Sequence, residues 1–191
     1  MKIKPNKISK FLALVLRHNP SAAGITLDNN GWADARTLIS QVNKHYGDHV
    51  LSLGVLAEIV SDDDKNRYEL NPDNSKIRAR QGHSLKNVNL ELQPQTPPSI
   101  LYHGTVSKFM DAIHDNGLIK GSRQYVHLSG DMETAKTVGG RRGDPIILEV
   151  SAKAMHDAGL PFFKSSNGVW LTDHVPPHYI SVIYEENQYY D

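Results

Sequence analysis

Arg17 and His18, side by side at the end of an apolar stretch, are the first residues in the chain whose types suggest chemistry. An Arg offers a planar fork of donors matched to phosphate oxygens, and an adjacent His donates as well, so the pair suits an oxyanion. The plainer reading is helix punctuation, because a cation at a helix carboxyl end interacts favourably with the dipole. Arg67, Arg78 and Arg80 flank a turn and run into Gln81-Gly82-His83-Ser84. They read either as phosphate contacts that position a nucleic-acid strand or as a solvated strand edge. Leu101-Tyr102-His103-Gly104-Thr105 ends an apolar run with a glycine, which lets a ligand approach the backbone. In Arg123-Gln124-Tyr125-Val126-His127-Leu128-Ser129, His127 sits among apolar strand residues, as a core histidine or as a ligand contact. Gly139-Gly140-Arg141-Arg142-Gly143-Asp144 is a basic glycine-rich loop, flexible or anion-binding.

Several chemistries lack their residues. The 191-residue chain has no Cys, which removes disulfides, thiolate zinc sites, iron–sulfur clusters and cysteine nucleophiles. No GxGxxG or GxxxxGK[ST] follows a strand pattern, and no GxSxG surrounds a serine. His174 and His178 are four apart, but Pro176 and Pro177 forbid the helix that an HExxH metal site needs, so no metal is expected.

The elements that must position these residues differ between the two halves. Ile8, Phe11, Leu12, Val15 and Leu16 recur at helical spacing up to Arg17-His18, and Pro20 stops that helix. Asp34 caps a second predicted helix carrying Leu38, Ile39 and Val42, and a third runs through Val55, Leu56, Ile59 and Val60. A hairpin follows, with strands at 67–70 and 76–80 around the turn 71–75. Three helices and a two-stranded ribbon make a winged-helix pattern, a frequent nucleic-acid-binding module. In the second half, short apolar runs at 100–102, 125–128, 146–150, 169–171 and 179–184 alternate with helical patterns at 108–116 and 132–138, a mixed α/β rhythm. Residues 1–95 carry 13 Lys+Arg against 10 Asp+Glu, and residues 96–191 carry 8 against 11. The change falls at the Pro-rich stretch 93–99, which supports neither helix nor inner strand. The expected organisation is α+β, with a winged-helix lobe at 1–92, a linker at 93–99 and a mixed lobe at 100–191. Equal numbers of positive and negative side chains argue against a general polyanion binder. The first apolar run is about six residues long before Arg17, so neither a signal peptide nor a membrane span is expected, and the cytoplasm is the default location.

Taken in order, LRH, DKNRY, RARQGHS, LYHGT, SRQYVHLS and NGVWLT resemble the RNA 2′-phosphotransferases of the KptA type, related to the enzyme that finishes tRNA splicing in fungi. The resemblance runs from about Ile8 to Tyr184. It implies an N-terminal winged-helix lobe that binds RNA and a C-terminal ADP-ribosyltransferase-like lobe that binds NAD. The implied reaction removes an internal RNA 2′-phosphate in two steps through an RNA-2′-phospho-ADP-ribose intermediate, releasing nicotinamide, 2′-OH RNA and ADP-ribose 1″,2″-cyclic phosphate without a metal. The family's Arg-His-Arg-Arg catalytic set falls on Arg17, His18, Arg67 and Arg123. Its NAD-binding positions fall on His103, Gly104, Thr105, His127, Ser129 and Val169. Val169 stands where many members of the wider superfamily have Glu, which favours a phosphate acceptor over a protein side chain. Tyr68 stands where the resemblance leads one to expect Phe. Two other functions share parts of this pattern: an ADP-ribosyltransferase acting on a terminal nucleic-acid phosphate or a protein, and a non-catalytic winged-helix RNA-binding protein with a ligand-sensing lobe. The resemblance implies RNA with an internal 2′-phosphate and NAD as partners. A monomer is expected, since no heptad or long apolar stripe lies outside the core faces.

Overall fold

The computed structural model describes residues 5–47 and 50–183, and the end of the last apolar run, Tyr184, lies outside them. The fold is mixed α+β, built from helices and small antiparallel sheets. The chain divides into two compact units, one comprising 1–92 with 122–124 and the other 93–121 with 125–191. The expected cut at 93–99 assigns residues 122–124 to the second half; in the structure they pack with the first.

The first unit opens with α1 (Pro5–Arg17), whose Leu12, Val15 and Leu16 are fully buried. Pro20, which has no N–H to give, begins a single 3-10 turn (Pro20–Ala23) that closes on Gly24 in the left-handed region at φ 61°. The two-residue β1 (Ala33–Asp34) leads into α2 (Ala35–Tyr46), where Asp34 accepts the N–H of Thr37 at 2.7 Å as the N-cap. The α3 helix (Leu53–Ser61) is capped by Ser52, which accepts from Val55. Asn43 on α2 brackets the backbone of Leu51, donating to its carbonyl at 2.8 Å and accepting its N–H at 2.7 Å. The hairpin is β2 (Tyr68–Leu70) and β3 (Lys76–Ala79), with Tyr68 opposite Ala79 and Leu70 opposite Ile77. Its turn is held by side chains, since Asn71 accepts the N–H of Lys76 and Asp73 that of Ser75. The sequence pattern predicts a two-stranded ribbon, whereas β1 pairs with the far side of β3 to give a three-stranded sheet in the order β1-β3-β2. A strand of two residues shows no alternation, so periodicity alone does not reveal it.

In the second unit β4 (Leu101–Thr105) is followed by a 3-10 turn (Ser107–Phe109), α4 (Met110–Asn116) and the two-residue β5 (Leu118–Ile119). Next come β6 (Val126–Leu128), α5 (Met132–Gly139), β7 (Ile146–Val150), α6 (Ala152–Asp157) and β8 (Phe162–Lys164). The unit ends with β9 (Trp170–Thr172), β10 (His174–Val175) and β11 (Ile180–Ile183). These strands make sheets in the orders β11-β7-β4 and β6-β9-β8, with β10 paired to β5. Backbone bonds between Tyr102 and Ser129, at 2.9 and 2.8 Å, tie β4 to the residue following β6. Pro94 pairs with Phe163 and Gln95 donates to the carbonyl of Phe162, so part of the expected linker lies along β8. Leu101, Leu128, Leu148, Met155 and Phe162 form the centre of a separate apolar core. No helix among the described residues is long and apolar enough to cross a membrane.

Candidate functional site

Arg17 is the last residue of α1, and its guanidinium lies on the backbone of Gly82: a Cβ there would meet Cζ and Nε of Arg17 at 3.6 Å, and Gly82 has φ +86°. The loop after β3 is thus shaped by a residue that both turns left-handed and leaves room for the guanidinium. Nε and Nη2 of Arg17 are buried and have no hydrogen-bond partner, an unusual state for a group that carries five donors. Burial, and then the positive charges of Arg67 and Arg123, lower its pKa from the ordinary arginine value, while Tyr68 and Asp63 oppose the shift. The Arg17 guanidinium also lies 6.0 Å from the centre of the Tyr68 ring.

Arg67 approaches the same ring at 5.5 Å and is gripped by Asp63, which accepts from its backbone N–H, Nε and Nη2. Nη2 donates to Ser9 Oγ as well, and Tyr68, 1% exposed, donates its hydroxyl to the Ser9 carbonyl at 3.0 Å. Burial alone would raise the Asp63 pKa, but the hydrogen bonds from Arg67 take it below the usual carboxylate value. The Asp63 hydrogen bond in turn raises Arg67.

His18 meets Ser84 across the loop, Nδ1 to Oγ at 3.0 Å, while the N–H of Ser84 donates to the Arg17 carbonyl at 3.0 Å. Partial burial, then Arg17 and Arg123, lower the His18 pKa. Arg123 is carried beside this loop by its neighbour Gln124. The Gln124 N–H donates to the His83 carbonyl at 3.0 Å, and its side-chain amide donates to the carbonyls of Leu85 and Val88 at 2.7 and 2.6 Å. Arg17, His18, Arg67 and Arg123 therefore belong to one compact unit, and three of the four are fixed by the segment 82–88. Such a cluster of cationic forks can hold and orient a phosphate dianion.

The hairpin arginines are differently placed. Glu69 forms ion pairs with both Arg78 and Arg80, Arg78 lies 4.4 Å over the Trp32 ring, and Arg80 Nε donates to the Tyr68 carbonyl. One carboxylate thus faces two guanidiniums, and both arginines pack along the hairpin.

In the second unit His103 lies on β4 and His127 on β6. Nδ1–H of His103 donates to the His127 carbonyl at 3.0 Å, and Nδ1–H of His127 donates to the Tyr125 carbonyl at 3.0 Å. Each bond fixes the tautomer that carries its proton on Nδ1, which makes Nε2 the acceptor, the form that suits a hydroxyl donor. Thr105 is buried and Ser129 half-buried, its backbone engaged with Tyr102. Val169 is half-buried just before β9, its N–H and carbonyl bonded to Ser165. Gly104 has a reason to be glycine that its motif does not reveal: a Cβ would sit 1.8 Å from the Ala135 carbonyl oxygen, because α5 packs directly on the β4 backbone. Gly139 faces it, its own Cβ position 3.0 Å from the Gly104 carbonyl carbon. Arg141 and Arg142 are exposed, with Arg142 5.8 Å from the Phe109 ring centre. His174 donates Nε2–H to the Asn116 carbonyl at 2.7 Å.

Residue type assigns no role to Asp63, and Ser84 and Gln124 lie in quoted motifs without a role of their own, although each holds a candidate phosphate ligand. The acidic run 62–64, four residues before Arg67, is the one signal that points to the first; hydrogen bonds across 66 residues, as between His18 and Ser84, leave none.

Comparison with known proteins places the chain. A family model described as "RNA 2′-phosphotransferase, Tpt1 / KptA family" matches residues 4–174. The chain belongs to the RNA 2′-phosphotransferase family. Relatives described as "Probable RNA 2′-phosphotransferase" include one from Flavobacterium johnsoniae, 53% identical over 173 residues, covering 91% of this chain and 93% of the relative. Another from Acaryochloris marina is 48% identical over 172 residues, covering 90% and 93%. A third, from Pseudomonas aeruginosa strain PAO1, is 47% identical over 172 residues, covering 90% and 93%. As an RNA 2′-phosphotransferase the chain is a transferase that removes a 2′-phosphate from RNA.

Proposed function

We propose that the chain is an NAD-dependent RNA 2′-phosphotransferase in which the first unit is a winged-helix lobe that grips the RNA 2′-phosphate and the second an ADP-ribosyltransferase-like lobe that binds NAD. One observation carries the phosphate half: Arg17, with two buried guanidinium nitrogens lacking partners, held in the same unit as His18, Arg67 and Arg123. An anion would satisfy donors that the fold leaves unpaired. The NAD half is supported by the Nδ1 bonds of His103 and His127, which in a neutral ring put the proton on Nδ1, the form whose Nε2 suits a hydroxyl donor such as that of a ribose.

NAD, a co-substrate, supplies an anomeric carbon with nicotinamide as leaving group. A phosphate oxygen of the RNA bonds to that carbon as nicotinamide departs. The ribose O2″ then attacks phosphorus, the bond to the RNA 2′-oxygen breaks, and the O2″ proton ends on that oxygen. The products are 2′-OH RNA and ADP-ribose 1″,2″-cyclic phosphate. His103, His127, Thr105, Ser129 and the backbone of Gly104 are the residues proposed to hold the nicotinamide riboside end. Val169 leaves O2″ unrestrained where a glutamate would hold it, and the phosphate arrives already ionised, so the first step calls for no base. Arg17, His18, Arg67 and Arg123 position the dianion for the first step and stabilise charge on its oxygens in the second. The test is nicotinamide release, measured with NAD and a short RNA that either carries or lacks one internal 2′-phosphate. Release only with the 2′-phosphorylated RNA is expected; release indifferent to the RNA would point to an ADP-ribosyltransferase with another acceptor.

A further inference from the structure

The 3.0 Å contact between His18 Nδ1 and Ser84 Oγ can run in either direction, since a serine hydroxyl both donates and accepts. The surroundings set the charge of the ring. Ser84 is also anchored through its backbone, whose N–H donates to the Arg17 carbonyl next to His18. The groups that face His18 from the neighbouring elements are Arg17 at the end of α1 and Arg123 beside the 82–88 segment, both positive. A further positive charge on the ring is therefore disfavoured, and the imidazole is held neutral. A neutral ring has one N–H and one lone pair, so the direction of the bond at Nδ1 and the tautomer of the ring are one question.

We infer that Ser84 is a positioning residue for the reaction: its hydroxyl donates to Nδ1 of His18 and so places the ring's single proton on Nε2, ready to donate to the phosphate before RNA binds. The opposite tautomer would aim a lone pair at an anion that offers only lone pairs. Without the serine, neutral His18 samples both tautomers, and part of the population repels the phosphate. This is the reverse of the arrangement at His103 and His127, where backbone carbonyls force the proton onto Nδ1 and make Nε2 an acceptor. The same side chain is thus set as a donor for phosphate in one unit and as an acceptor for hydroxyls in the other. The inference rests on the proposed role of His18 as a phosphate ligand.

Long-range ¹H–¹⁵N correlation spectra of the histidine rings in the intact, RNA-free protein at neutral pH test it directly. The His18 signals, assigned by their loss in His18→Asn, are expected to show the Nε2–H tautomer in the parent protein. Ser84→Ala should give averaged nitrogen shifts and a kcat about tenfold lower, the order expected when one hydrogen bond is removed. Ser84→Thr, which keeps the hydroxyl, should restore both. An imidazolium or Nδ1–H tautomer in the parent protein, or an unchanged spectrum in Ser84→Ala, overturns the inference and leaves the phosphotransferase reading standing. If the parent protein fails to remove a 2′-phosphate, it is that reading which falls, whatever the spectrum shows.

Discussion

Asp63 shows how a single side chain can make a cationic cluster possible. Its carboxylate is buried and directs its lone pairs at Arg67, fixing the fork while Arg17 approaches the same Tyr68 ring. Asp63→Asn keeps the volume but loses the charge and half the acceptors. A stability loss of about 1–3 kcal/mol in urea titration is expected, with a larger effect on turnover than on the KM for NAD. The proposed phosphate ligands should separate the two proposed steps. In that scheme charge develops on the phosphoryl oxygens in the second step, so alanine at Arg17, His18 or Arg123 should let ADP-ribosylated RNA accumulate in single-turnover gels. If those variants slow only formation of that species, the division of labour is wrong. His83 offers a pH test. It is 1% exposed, neither ring nitrogen has a partner, and burial followed by Arg17 and His18 pushes its pKa down to about 4. The unfolded chain binds a proton near pH 6.5 and the folded one does not, so stability is full above pH 6.5 and declines as the pH falls towards 4. The loss is about 3 kcal/mol across that window. His83→Leu should flatten thermal midpoints between those pH values, whereas the contribution of Asp63 is lost only at lower pH, as its carboxylate is protonated.

At the scale of elements, local chemistry accounts for what the sequence made legible. The three helices of the first unit announce themselves through apolar spacing, the Asp34 cap and Pro20, and the hairpin through its Asn-Pro-Asp turn. The longer strands β4 and β7 lie on the apolar runs that predict them. What stays hidden is short or long-range. The strands β1, β5 and β10 have two residues each, and α6 has six, too few for a period to register. The candidate site divides in the same way. Arg17, His18, Arg67 and Arg123 stand out by type and motif, while Ser84 and Gln124 look ordinary until the loop 82–88 brings them against those residues. Gly104 is legible as a residue of note but not for its packing, which depends on where α5 lands. Gly104→Ala should therefore fail at the level of the fold, with loss of a cooperative melting transition, because the added carbon would meet a backbone oxygen. Asn43→Ala is milder: it frees both backbone groups of Leu51 and should cost about 1–2 kcal/mol, read as a shift in urea midpoint with turnover of the folded protein intact.

For the whole molecule, Lys+Arg and Asp+Glu each number 21, so attraction to RNA has to come from the arrangement of charge, not from its sum. Glu69 offsets part of the charge of Arg78 and Arg80, whereas Arg17, with Arg67 and Arg123 near it, has buried donors without a partner. Binding of 2′-phosphorylated RNA should weaken with salt, and Arg17→Ala should lower the slope of log Kd against log salt by about 0.7, the share of one neutralised phosphate on a single strand. The most direct test of the account follows the phosphorus. An RNA labelled at one internal 2′-phosphate is incubated with the protein and NAD, and the label is traced by chromatography. The account predicts that it leaves the RNA and appears in ADP-ribose 1″,2″-cyclic phosphate. Label found in inorganic phosphate, or released without NAD, would contradict it.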